Sequence, residues 1–87
     1  MEVEMIIHIL VIESPEGNIE ELKAIHEREI ASENIINWAE DNDIVLDTEK
    51  TDSEIYFSED EEGEYISRII DENVGQARIF NCELESY

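Results

Sequence analysis

The sequence predicts a single small α+β domain, and three observations carry that reading. Its 87 residues leave no room for a second domain at the usual ~100–200 residues apiece. Hydrophobic residues make up 41% of the chain and fall in blocks, which a disordered polyelectrolyte lacks. Those blocks switch between a period of two and a period of three to four, the signatures of strand and helix.

Residues 2–13, EVEMIIHILVIE, read as a strand, with Val3, Met5, Ile7, Ile9 and Val11 on one face. The other face carries Ile6, Leu10 and Ile12 around His8, so both faces are apolar and the strand belongs inside its sheet. Ser14-Pro15-Glu16-Gly17-Asn18 is a turn, with Asn18 placed to cap a helix. From Ile19 to about Asn42 the pattern is helical: Ile19, Leu22 and Ile25 or His26, then Ile30, Ile35, Ile36 and Trp38. One straight helix of that length would run about 35 Å and overshoot a small sheet. The apolar phase slips near Ala31-Ser32, so a break near Ser32 is expected.

Residues 44–49 and 54–58 read as two short strands in a hairpin, joined by Lys50-Thr51-Asp52-Ser53. Ser58-Glu59-Asp60-Glu61 has the form of a capping box. A second helix would follow, with Ile66, Ile69, Ile70 and Val74 on one face and Gly75 as its stop. Residues 77–85 close the chain as a strand in which Phe80, Cys82 and Leu84 alternate with Asn81, Glu83 and Glu85. The resulting order is βαββαβ, the ferredoxin-like arrangement with an antiparallel sheet. It places the first and third strands side by side and parallel at the centre. The second and fourth strands become edges, guarded by Asp47, Glu49, Lys50, Arg78, Glu83 and Glu85. Residues 1–87 thus form one acidic α+β domain without repeat or linker.

Twenty-five Asp and Glu against five Lys and Arg give a formal charge of −20. Direct binding to nucleic acid or to an anionic membrane is excluded on that ground, because phosphate affinity comes from Lys and Arg. Cys82 is the only cysteine, so no intrachain disulfide can form, and a reducing cytoplasm is the expected compartment. Glu2 and Glu4 stand where a signal peptide would be basic, and the apolar run from Met5 to Ile12 is far below the ~20 residues of a membrane span.

No catalytic constellation emerges. Cys82 alternates with apolar neighbours on a strand, and His8 and His26 lie within elements; none of the three has a partner that would activate it. There is no GxSxG, no HExxH, and with three glycines no phosphate-cradling loop. Asp41-x-Asp43 and Asp47 superficially resemble a calcium loop. Such a loop would need an oxygen ligand at Val45, a glycine at Leu46 and a glutamate at Asp52. No enzyme activity, cofactor or metal is therefore expected.

The acids themselves are the signal. Five in the six residues 59–64 would suit the positive end of a helix dipole, yet acids occur in every element. Solubility needs a net charge of only about 2–8. Carboxylates at i and i+2 of a strand lie about 6.7 Å apart, and those at i and i+4 of a helix are about 6 Å apart along its axis. Each strand of B-DNA carries one phosphate per ~3.4 Å, so a folded surface of this kind can imitate a nucleic-acid backbone. In the expected topology Glu13 and Glu16 share one sheet end with Glu59, Asp60, Glu61 and Glu62. Glu64, Asp71 and Glu72 extend that candidate contact surface.

Small size, one compact fold, extreme acidity and the lack of a catalytic constellation resemble the DNA-mimic proteins of bacteriophages. The nearest likeness is to host-takeover inhibitors of the basic nucleoid protein HU, and other members of the class block restriction, CRISPR or repair proteins. The resemblance implies a non-enzymatic decoy that occupies the DNA-binding surface of a basic host protein in the bacterial cytoplasm, at the nucleoid. The alternative expectation is an acidic adaptor or assembly subunit that dimerises through its sheet. The doubly apolar first strand supports it, since a partner chain could cover its outer face.

Self-repulsion opposes folding in either case. Raising salt from about 0.1 to about 1 M should therefore raise the thermal midpoint, screening like charges over the ~10 Å to ~3 Å Debye range. A midpoint that falls would show that attractive ion pairs dominate.

Overall fold

The computed structural model describes the backbone of residues 3–86 and the side chains of residues 6–83. Glu2 and the side chains of Leu84 and Glu85 lie outside the described residues. Six elements follow in the order β1 (Val3–Glu13), β2 (Ile19–Ile25), α1 (Arg28–Asp41), β3 (Glu54–Asp60), β4 (Gly63–Asp71) and β5 (Gly75–Ser86). They form one five-stranded antiparallel sheet, ordered β2-β1-β5-β4-β3, with α1 on one face. The class is α+β, but the order is ββαβββ rather than the expected ferredoxin-like βαββαβ.

The first and last strands behave as their alternation dictates. β1 lies inside the sheet between β2 and β5 and pairs with β5 from Val3↔Ser86 to Glu13↔Gln76. Its even-numbered residues Leu10 and Ile12 enter the core with Ala77 and Ile69. Val11 is equally buried but belongs to the other face, outside that core cluster.

Three expectations fail, each for a local reason. Ile19–Ile25 is a strand, not the first part of a helix. Ile19 and Leu22 are each 63% exposed, so their helical spacing marks no buried face; the tight turn and the pairing with β1 decide the backbone. In that turn Ser14 N–H donates to the Asn18 carbonyl (2.8 Å) and Gly17 N–H to the Ser14 carbonyl (2.9 Å), so Asn18 closes a hairpin instead of capping a helix. The helix that does form starts at Arg28, ahead of the expected break, and runs uninterrupted through Ser32. Ala31, Ile35 and Ala39 make a fully buried i, i+4 ridge, in which Ile35 alone contributes about 2–3 kcal/mol.

The second expected helix is the β3–β4 hairpin. Strand β3 continues through Asp60, so Ser58 pairs with Tyr65 instead of capping. A bulge at Ser67 lets Tyr56↔Arg68 be followed by Phe57↔Ile66. The extra residue turns Ile66 and Ile69, three apart, onto the same core face and so imitates a helical period. Residues 44–49, expected as a strand, form a loop without a ladder. Ile44 and Leu46 still reach the core, while Val45 is exposed and Lys50 N–H closes a turn on the Asp47 carbonyl. The edges are consequently β2 and β3, and β5 is central, so no two neighbouring strands run parallel.

Gly75 opens β5 rather than ending a helix. Its φ is +118°, and a Cβ there would sit 2.0 Å from the Glu13 carbonyl oxygen. Gly75→Ala should therefore cost about 2–4 kcal/mol, read as a lowered urea midpoint. An unchanged midpoint would mean that β1 and β5 do not approach this closely.

Candidate functional site

The antiparallel order separates the predicted contact residues into two groups. At one end of the sheet, where β1 finishes and β5 begins, lie Glu13, Glu16, Asp71 and Glu72. Glu59, Asp60, Glu61, Glu62 and Glu64 lie at the other end, on the β3–β4 turn. The expected union of Glu13 and Glu16 with residues 59–62 is thus corrected, because it required parallel first and third strands.

Two acids of the first group are bound up in the fold. Glu13, with a side chain 12% exposed, pairs with the Arg78 guanidinium and accepts from Gln76 Nε2 at 3.0 Å. Asp71 accepts from Ser53 Oγ and from the backbone N–H groups of Asn73 (2.9 Å) and Val74 (3.1 Å), tying the end of the 42–53 loop to the β4–β5 turn. The Ser53 hydroxyl and then the Asn73 amide hold its carboxyl below the usual carboxylate range. Glu16 and Glu72 are exposed on turns.

The second group gains members that sequence reasoning missed. The true start of α1 brings Glu27 and Glu29 beside the β3–β4 turn, which residues 19–42 read as one helix would have left mid-helix. Arg28 organises the junction: its Nε lies 2.8 Å from Asp60 Oδ2 and its terminal nitrogen 3.2 Å from Glu62 Oε2. Its guanidinium also stacks 4.7 Å above the Tyr65 ring. On the turn, Glu62 N–H donates to Asp60 Oδ1 (2.8 Å) and Gly63, at φ +122°, returns the chain. Glu59 and Glu64 are direct cross-strand partners, a like-charge pairing that ordinarily destabilises a sheet.

An open cleft of about 780 Å³ lies between this turn, the start of α1 and the β1–β5 pair. Its acids are Glu27, Glu29, Asp60, Glu61 and Glu62, against the single guanidinium of Arg28. His8 and Asn81 form its floor, with His8 only 8% exposed. His8 Nδ1 meets Asn81 Oδ1 at 2.8 Å, and Asn81 Nδ2 in turn reaches the Tyr65 hydroxyl at 3.4 Å. With His8 Nδ1 engaged by Asn81, the carboxylates of the cleft are the groups that suit cationic donors. His26 lines the same cleft. No cluster of three metal-ligating side chains occurs among the described residues, and none of their helices is long and apolar enough to cross a membrane.

No protein-family model matches the chain, and no curated protein or solved structure shows significant similarity to it.

Because the folded pKa of Asp71 is depressed, its stabilisation is complete above the unfolded value near 3.8 and is lost as pH falls through the folded value. Asp71→Asn should lower the urea midpoint at neutral pH, and the gap to the parent should close as pH falls below 3.8 and through the folded value. A gap independent of pH would assign the loss to packing.

Proposed function

We propose that the protein is a non-enzymatic decoy whose acidic end occupies the nucleic-acid-binding surface of a basic DNA-binding protein, an HU-like nucleoid protein being the favoured target. The observation that carries this is the cleft at the β3–β4 turn, where three acids of the turn and two at the start of α1 surround one cation. A chain selected for stability alone would not set Glu59 opposite Glu64, since each like-charge pair works against the fold. Concentrated, preformed negative charge instead steers a basic groove and satisfies groups that normally meet phosphates. Glu59, Glu61 and Glu64 do not bond to Arg28, which leaves them for a partner.

The second reading, an acidic adaptor or assembly subunit that dimerises through its sheet, is favoured by Leu22 and Phe80, which are exposed on the sheet face opposite α1. It calls for binding that changes little with salt, whereas the decoy requires affinity that collapses as salt rises.

Capture from nuclease-treated bacterial lysate at low salt, with a salt gradient and added duplex DNA as eluents, separates the two readings. The decoy releases one or a few basic DNA-binding proteins to either eluent. Replacing Glu59, Asp60, Glu61 and Glu62 by their amides should weaken that binding by about tenfold or more with the far-UV spectrum unchanged. The same change at Glu16 and Glu72 should have a smaller effect. Retention through high salt, or unchanged affinity in the amide variant, would remove the turn from the contact surface.

A further inference from the structure

Between α1 and the β3–β4 hairpin lies a second groove, of about 360 Å³, which shares only Arg28 and Glu29 with the acidic cleft. Ile36, Phe57 and Ile66 supply its apolar lining, and Glu29, Glu33 and Glu64 its carboxylates. Glu29 and Glu33 stand one turn apart on α1 and Glu64 lies on β4, so acids border the apolar lining from both elements. Ile36 and Ile66 also pack against the core, but Phe57 is 46% exposed. A large aromatic ring left half in water forgoes stabilisation that a covering side chain would supply. Among the described residues none of Glu29, Glu33 and Glu64 forms an ion pair. The one cation of the groove, Arg28, is already held by Asp60 and Glu62 and stacked on Tyr65.

We propose that this groove receives an apolar side chain carried on a basic segment of the partner protein. Charge selects the segment. An acidic one meets three unpaired carboxylates on a chain of charge −20, and a purely apolar one would cover those carboxylates without supplying a counter-charge. Cations flanking one apolar residue satisfy the carboxylates and cover Phe57 together. Size selects a side chain rather than a folded element, because ligand pockets run from about 300 to about 1,000 Å³ and this one is at the small end.

Proteins that enter the minor groove of DNA present the same order of groups. They drive an apolar wedge between base steps while Arg and Lys hold the phosphates on either side. An apolar slot bordered by carboxylates offers such a wedge a place when DNA is absent. The identification of the occupant as a DNA-parting wedge rests on the decoy reading, whereas the demand for an apolar residue among cations comes from the groove itself.

Two synthetic peptides test this by calorimetric titration into the intact chain. Each carries lysines on both sides of a central residue, phenylalanine in one and serine in the other. The phenylalanine peptide should bind about tenfold or more tightly. Salt should weaken both peptides while their ratio persists, since screening acts on the ionic contacts and not on apolar burial. Phe57→Ser should bring the ratio close to one with circular dichroism preserved, and the wild-type ratio decides by itself should that variant fail to fold. Phe80→Ser, at a similarly exposed position on β5, should leave the ratio unchanged. Equal affinity of the wild type for the two peptides would overturn the proposal and leave a purely electrostatic decoy standing. So would a preference that Phe57→Ser retains or Phe80→Ser abolishes. A preference that meets these tests, beside a lysate capture that yields no DNA-binding protein, would uphold the groove and overturn the decoy reading.

Discussion

The pairing of β1 with β5 is the constraint on which the remainder of the structure depends. It joins the two ends of the chain over eleven register positions and makes the last strand the centre of the sheet. Closing so long a loop is costly in entropy, and the ladder offsets it by placing Leu10 and Ile12 beside Ile79 and Ala77. Gly75 permits the close approach at one end, and the Glu13–Arg78 pair fastens the neighbouring register. Once β1 and β5 are paired, the β1–β2 hairpin and the β3–β4–β5 meander can attach only on opposite sides.

That arrangement also distributes the charge. Antiparallel strands send the turns alternately to the two ends, so the acids of the β3–β4 turn cannot meet those after β1. Each end carries its own concentration of negative charge. At one, Glu13 and Asp71 stabilise turns and a strand pair; at the other, acids outnumber their single cation. The sheet face opposite α1 carries least of this charge because its arginines lie over aromatic rings and beside Glu13.

Legibility followed the source of each signal. β1 is readable as a long apolar run ended by a Pro-Gly turn, and β5 from Phe80, Cys82 and Leu84 alternating with Asn81, Glu83 and Glu85. The acidic run at 59–64 was readable as a surface feature regardless of its backbone. Leu22 was read on a helix because Ile19, Leu22 and Ile25 repeat at three, although two of the three are mostly exposed. Ile66 and Ile69 misled through the bulge at Ser67, which gives a strand a helical spacing. Ile44 and Leu46 reach the core from a loop rather than from the expected strand, since apolar side chains can be buried without a ladder partner.

The sequence by itself determined that this is one acidic α+β domain, that its first and last apolar blocks are strands, and that it carries a formal charge of −20. These follow from composition and short-range periodicity, which are properties of neighbouring residues. Only the tertiary structure decided the strand order, the union of Glu27 and Glu29 with the β3–β4 turn, and the exposure of Leu22 and Phe80 on one face. Those depend on pairing between residues as far apart as His8 and Asn81, and the free energy of such a contact appears in no local window of the chain.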